Sequence, residues 1–266
     1  MTTGVGRGVA LALSSGGARG FVHIGVLKAL DRHRIPIVGI AGSSMGALIG
    51  ALYCSGYTGE ELEQLAGSIR RSHYMDISVS QMGLVAGKKL HSLVLKLTHG
   101  KNLEDLKIPL KVVAVDIERG EEVIISHGRI ADAVRASASI PGMFSPVHRG
   151  NRLLVDGGVL NRVPADLARE FDANGVVAVD VGIDLASRMT SMFDVLFQAF
   201  DIMARELRRY QTISADVLIQ PRLDLTRDQD RIQRFIQAGE AATEAAMAQI
   251  HRLVDDGISS KGSMGV

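Results

Sequence analysis

Short, mostly apolar runs alternate along the chain with longer stretches in which apolar residues return every three or four positions. Runs of the first kind, at 9–13, 37–41, 110–117, 152–155, 175–181 and 216–220, read as strands of a largely buried sheet. A polar-flanked run at 122–126 joins 110–117 through a turn at Arg119 and Gly120, the one hairpin the pattern predicts. Stretches at 21–33, 47–54, 60–71, 129–138, 164–171, 189–213 and 230–254 read as helices. In the sixth of these, Met189, Phe193, Leu196, Phe200, Met203, Leu207 and Tyr210 stand at helical spacing. Segment 82–97 reads as an amphipathic stretch broken by glycine, and Pro141 and Pro146 predict a fixed loop. Alternating strands and helices predict an α/β fold with a mostly parallel central sheet between helical layers. One domain over 1–266 is expected, with its core at 9–181, C-terminal helices at 189–254, a frayed leader and a disordered tail after 257.

The run 35–59 holds no charged residue and centres on Gly42-Ser43-Ser44-Met45-Gly46, a Gly-x-Ser-x-Gly. Its length would allow a transmembrane helix, but Pro36, six glycines and paired serines oppose that reading. The better division is a buried strand, a tight turn and a buried helix closed by Gly56. Such a turn is a nucleophile elbow: Ser44 is forced onto a sharp corner, and Gly42 and Gly46 keep side chains away where backbones crowd. An ordinary strand-to-helix turn has the same composition, so this motif alone leaves the choice open.

A net charge of +1 and the absence of a basic stripe interleaved with aromatics disfavour nucleic acid as a partner. Cys54 is the only cysteine, so no intrachain disulfide can form. The apolar run 9–13 is too brief for a signal-peptide core, and a cytoplasmic start is expected. That run ends in Ser14-Ser15-Gly16-Gly17-Ala18-Arg19-Gly20. The G-x-G-x-x-G spacing and Gly-Lys-Ser/Thr of nucleotide sites are missing, but consecutive glycines at a helix start suit the presentation of free N–H groups to an oxyanion. At the end of 152–155 stands Asp156-Gly157-Gly158, a carboxylate at a strand end and equally a common turn.

A serine nucleophile needs a base. The only histidine after Asp156 is His251, deep in the last predicted helix, and the others show neither motif spacing nor an H-E-x-x-H pattern. The economical arrangement is a Ser44–Asp156 dyad with no metal and no cofactor.

Together these residues resemble the patatin-like phospholipases, in particular the small bacterial proteins related to the catalytic domain of neuropathy target esterase. Gly16 to Gly20 is similar to the family's Gly-Gly-x-Arg-Gly turn and Gly42 to Gly46 to its Gly-x-Ser-x-Gly. Ala136-Ser137 through Pro141 is similar to its Ala-Ser-x-x-x-Pro, and Asp156-Gly157-Gly158 to its Asp-Gly-Gly/Ala. The resemblance implies that Asp156 deprotonates Ser44, which attacks a lipid ester, while N–H groups of Gly16, Gly17 and Ala18 hold the oxyanion. Asp156 then activates water, and Arg19 braces the turn. Implied partners are a phospholipid, lysophospholipid or other fatty-acyl ester and, peripherally, a membrane. An acyltransferase on the same dyad, or a non-catalytic adaptor, would need the same fold, and pairing with a second copy is left open.

Overall fold

The computed structural model describes residues 8–80, 82–182, 192–208, 213–223 and 230–259. Its first half carries β1 (Val9–Leu13), α1 (Val22–Arg32), β2 (Ile37–Ser43), α2 (Met45–Cys54) and α3 (Gly59–Ser68). Next come β3 (Ile77–Ser80), β4 (Gly83–Val85), α4 (Lys88–Leu97), β5 (Leu110–Asp116), β6 (Glu121–Ile125) and α5 (Ile130–Ser137). The remainder holds β7 (Gly142–Phe144), β8 (Val147–Arg149), β9 (Arg152–Asp156), α6 (Ala165–Arg169), β10 (Gly175–Val179), α7 (Met192–Arg208), β11 (Val217–Ile219) and α8 (Arg231–Ser259).

Eight strands form one sheet in the order β11-β10-β1-β2-β5-β9-β8, with β6 also paired to β5. Pairing is parallel from β11 through β5 and antiparallel from β5 to β6 and β9 and from β9 to β8. Alternate residues divide between the two faces. Leu11, Leu13, Ile40, Val112, Val177 and Val179 pack with α1, α2, α5 and α8, whereas Ala10, Ala12, Ala41 and Ala178 pack with α6. The result is a three-layer α/β/α fold. Its central strands β1 and β10, VALAL and GVVAV, are buried along their whole length, which is why they lack polar alternation.

The run 35–59 divides as expected into β2 and α2. Among the described residues no helix is long and apolar enough to cross a membrane. Several expectations differ from the structure. The loop predicted around Pro141 contains β7, which joins β3 and β4 in a second, three-stranded sheet. Segment 82–97 divides into β4 and α4 at Gly87, whose φ of 74° is left-handed backbone. Two further hairpins exist, β3–β4 and β8–β9. β8 is only three residues long with exposed His148 and Arg149, so it carries no periodic signal. The last helix runs to Ser259, beyond the expected start of the tail at 257. Residues 1–7, 189–191, 209–212 and 260–266 lie outside the described residues, and with them the expected leader, the rest of the tail, Met189 and Tyr210.

One feature of register positions the site. β2 pairs Ile40 to Ser43 with Leu110 to Val113, and β9 pairs Asp156 to Leu154 with Ala114 to Asp116. The two strands therefore occupy successive stretches of one edge of β5 and run toward each other. In a mostly parallel sheet Asp156 thus comes from an antiparallel strand, and it meets the end of β2 from the opposite direction.

Candidate active site

Ser44 stands between β2 and α2 with φ 54° and ψ −116°, backbone that a side chain rarely adopts. Two hydrogen bonds hold it there. Its N–H donates to Ser137 Oγ at 2.8 Å, and its carbonyl accepts from the N–H of Leu48 at 3.0 Å. Gly46 is required by close approach: a Cβ there would lie 2.1 Å from the Leu13 carbonyl oxygen. Gly42 packs against the backbone of Ala47, and Gly20 against the Met45 side chain, so the end of β1 and the elbow are fitted to one another.

Ser44 Oγ donates to Asp156 Oδ2 at 2.5 Å, in a buried pair 4% and 6% exposed. The other carboxylate oxygen accepts from the N–H of Gly158 at 2.8 Å, and the N–H of Asp156 donates to the Ser139 carbonyl at 3.0 Å. Burial raises the Asp156 pKa to about 6, against the opposing effects of the Ser44 and Gly158 hydrogen bonds and the charge of Arg162. Gly157 lies against the Val113 carbonyl and Gly158 against Ser15. Ser43, next to the nucleophile slot, is wholly buried, and its Oγ has no hydrogen-bond partner among the described residues.

Gly16 precedes a 3-10 turn, Gly17–Phe21, in which Gly17 has φ 53°. The N–H groups of Gly16, Gly17 and Ala18 donate to no acceptor among the described residues, and Gly17 and Ala18 are exposed. Donors without acceptors at a helix start are what an incoming anion needs. Arg19 braces this turn: Nε lies 3.4 Å from the Gly16 carbonyl, and Nη2 reaches both oxygens of Asp201 in α7, at 2.9 and 2.8 Å.

Three residues here, Arg162, Asp201 and His23, escape a reading of motifs, and a fourth, Ser137, lies in a motif that assigned it no role. Ser137 holds the elbow's N–H, giving the Ala-Ser motif a physical role. Arg162 donates to the Gly182 carbonyl at 2.9 Å and lies 3.5 Å from Asp201. Asp201 sits mid-helix with nothing local to mark it. His23 is fully buried in α1, with Nε2 2.8 Å from the Ser14 carbonyl, and burial lowers its pKa to about 4. It is therefore neutral at pH 7 and donates from Nε2 to the end of β1. Of the other expected absentees, His251 lies edge-on to His33 at 5.8 Å between ring centroids, on the outer helices.

The fold and the site define an α/β protein with a buried serine–carboxylate pair beside a turn of unengaged N–H donors. Residues 11–169 match the family model described as patatin-like phospholipase. The chain is 38% identical over 175 residues to an uncharacterized NTE family protein of Mycobacterium tuberculosis, an alignment covering 65% of this chain and 49% of that one. It is 34% identical over 185 residues to human patatin-like phospholipase domain-containing protein 6, covering 66% of this chain and 14% of the relative. It thus spans about half the length of the mycobacterial relative. The solved structure of VipD from Legionella pneumophila superposes with a TM-score of 0.58 at 13% identity, covering 95% of this chain and 67% of VipD. That of the type III effector ExoU gives 0.53 at 14%, covering 93% and 54%. At such identities the two structures speak for the fold alone. The chain belongs to the patatin-like phospholipase family, on its neuropathy target esterase-related branch.

Proposed function

We propose that this protein is a serine lipid acyl hydrolase of the phospholipase A, lysophospholipase or carboxylesterase type, among the small bacterial members of its branch. The observation that carries the reading is the 2.5 Å hydrogen bond from Ser44 Oγ to a buried carboxylate oxygen of Asp156. No histidine is needed: Asp156 takes the Ser44 proton as Oγ bonds to the acyl carbonyl carbon. Negative charge moves to the carbonyl oxygen, where the N–H groups of Gly16, Gly17 and Ala18 receive it. On collapse the ester C–O bond breaks, and Asp156 returns the proton to the departing alcohol, leaving an acyl-serine. Water then attacks the acyl carbon while Asp156 accepts its proton, and Ser44 recovers a proton as the fatty acid leaves. Arg19 and Gly20, with Gly42, Gly46, Gly157 and Gly158, act by holding these groups in place. No metal or cofactor enters the scheme. The setting is cytoplasmic, with the substrate reached at the periphery of a membrane.

The test is hydrolysis of a short-chain p-nitrophenyl ester by the wild type and by folded Ser43→Ala, Ser44→Ala and Asp156→Asn proteins. Ser44→Ala and Asp156→Asn are expected to lower kcat by at least about a thousandfold, as losses within a unit acting together do. Ser43→Ala is expected to stay within about tenfold of the wild type, since its hydroxyl bonds nothing among the described residues. Turnover that survives in the Ser44→Ala protein sinks the proposal.

A further inference from the structure

The chain shows no polybasic run in sequence, yet the fold assembles one. The 3-10 turn Arg71–His73 packs against α4, and Lys89 Nζ donates to the Ser72 carbonyl at 3.1 Å. Between them lies a shallow groove of about 430 Å³, lined by His73, Lys88, Lys89, Ser92 and Lys96 among others. Arg70 is exposed at its margin in the chain. Among the described residues no carboxylate pairs with Lys88, Lys89 or Lys96. The carboxylate of the adjoining segment, Asp76, is instead engaged by the N–H groups of Gly87 and Lys88, at 2.8 and 2.9 Å.

Lys88 and Lys89 occupy the first turn of α4, where the helix dipole is itself positive. Cations there work against the helix dipole, and although Asp76 caps the turn and Lys89 reaches Ser72, the Lys88 and Lys96 ammonium groups donate to no acceptor among the described residues; an anionic partner would engage them. Just ahead in the chain, β4 buries Gly83 and Val85 but exposes Leu84 at 40%, and Met82 is 52% exposed. Cations that follow exposed apolar side chains by a few residues in the chain fit a lipid–water interface, where headgroups would meet the lysines and acyl chains Met82 and Leu84. Nucleic acid would use the cations but leave the apolar pair without a role.

We propose that α4, the Arg70 to His73 segment and β4 form the face by which this protein docks on an anionic bilayer. The idea deepens the lipid-hydrolase reading by locating where the enzyme meets its substrate's membrane. α4 packs on α5, whose last residue, Ser137, holds Ser44. Docking there would bring the bilayer to the side of the molecule that carries the elbow's support.

The experiment is sedimentation with vesicles of phosphatidylcholine, with or without phosphatidylserine, using Ser44→Ala protein so that binding does not depend on turnover. Binding is expected to require phosphatidylserine and to fall as salt is raised. Adding Lys88→Gln, Lys89→Gln and Lys96→Gln is expected to lower partitioning on the order of a hundredfold, from the usual contribution of each lysine near such a surface. In protein that keeps Ser44, those three lysine substitutions are expected to leave short-chain ester hydrolysis near the wild-type rate. Met82→Ser with Leu84→Ser is expected to weaken binding at high salt most. Equal binding to neutral vesicles, or undiminished binding by the triple variant, overturns the proposal. So does displacement from the vesicle by a duplex oligonucleotide, which would make the groove a nucleic-acid site. Docking on vesicles by a protein whose wild type releases no fatty acid would support the face and count against the hydrolase reading.

Discussion

Asp156 is a carboxylate placed where burial works against its charge, and the consequences for activity and stability have opposite signs. Its pKa is raised from 3.8 to about 6 because burial outweighs two hydrogen bonds. In the proposed mechanism only the ionised form can take the Ser44 proton, so kcat/KM is expected to fall about tenfold per pH unit below 6. For stability, a folded pKa above the unfolded value means that protonation favours the folded state. The penalty is absent below about 3.8, develops between 3.8 and 6, and is complete above that range. Asp156→Asn is therefore expected to be more stable than the wild type at pH 8 by up to about 3 kcal/mol, with the gap closing near pH 4. Denaturant midpoints at the two pH values check this, and a gap unchanged between them would contradict it. At this scale Ser44 and the glycines are legible in sequence because they sit at corners that few residue types tolerate, and Asp156 because two glycines follow it at a strand end. The role of Ser137, and Arg162 and Asp201 altogether, are not: they act through contacts 93 residues away in one case and 182 in another, which no local pattern encodes.

Among the elements, α7 illustrates how little of a helix's function its periodicity discloses. The apolar spacing predicts a helix whose stripe packs, yet Met203 of that stripe is 52% exposed, and Val195 and Ile202, which lie off it, are 57% and 41% exposed. Polar contacts tie it to the site instead: Asp201 accepts from Arg19 at 2.8 Å and lies 3.5 Å from Arg162. All three side chains are only 12–16% exposed, so solvent screens the interaction weakly. Removing the carboxylate leaves two neighbouring guanidinium groups facing each other. Asp201→Ala is expected to cost about 1–3 kcal/mol, the range for stranding a buried polar partner. The loss should be local, with amide exchange accelerated across 192–208 while the amides of α8 keep their protection. Unaltered exchange in 192–208 would show that something other than Asp201 holds α7. The same limit applies to β4, β7 and β8, each three residues long: pairing across the chain makes them strands, and three residues are too few to show a period.

At the scale of the whole molecule, alternation of strands and helices reveals the layers but not the direction from which β9 arrives, because strand direction is a property of pairing and not of composition. Nor does it reveal how the last helix closes the fold. α8 buries Phe235, Ile236, Met247 and Ile250 and lies along α1, the helix that follows the Gly16 turn. Their approach depends on Gly25, where a Cβ would stand 1.8 Å from the Ile236 carbonyl oxygen and 2.7 Å from the Glu240 nitrogen. Both obstacles are backbone, so no rotamer change relieves them, and Gly25→Ala must push α8 outward. Alanine favours the helix over glycine by about 1 kcal/mol, but overpacking a tight contact costs about 1–3 kcal/mol and more where backbone must move. A net loss of at least about 2 kcal/mol is expected, read as a lower denaturant midpoint at unchanged slope. Because α1 begins directly after the turn that offers the free N–H groups, the shift should also reach the site. Ester hydrolysis by Gly25→Ala should fall even where the protein remains folded. A midpoint equal to the wild type's would mean that the two helices have room to spare, and that the closure of the fold does not rest on this crossing.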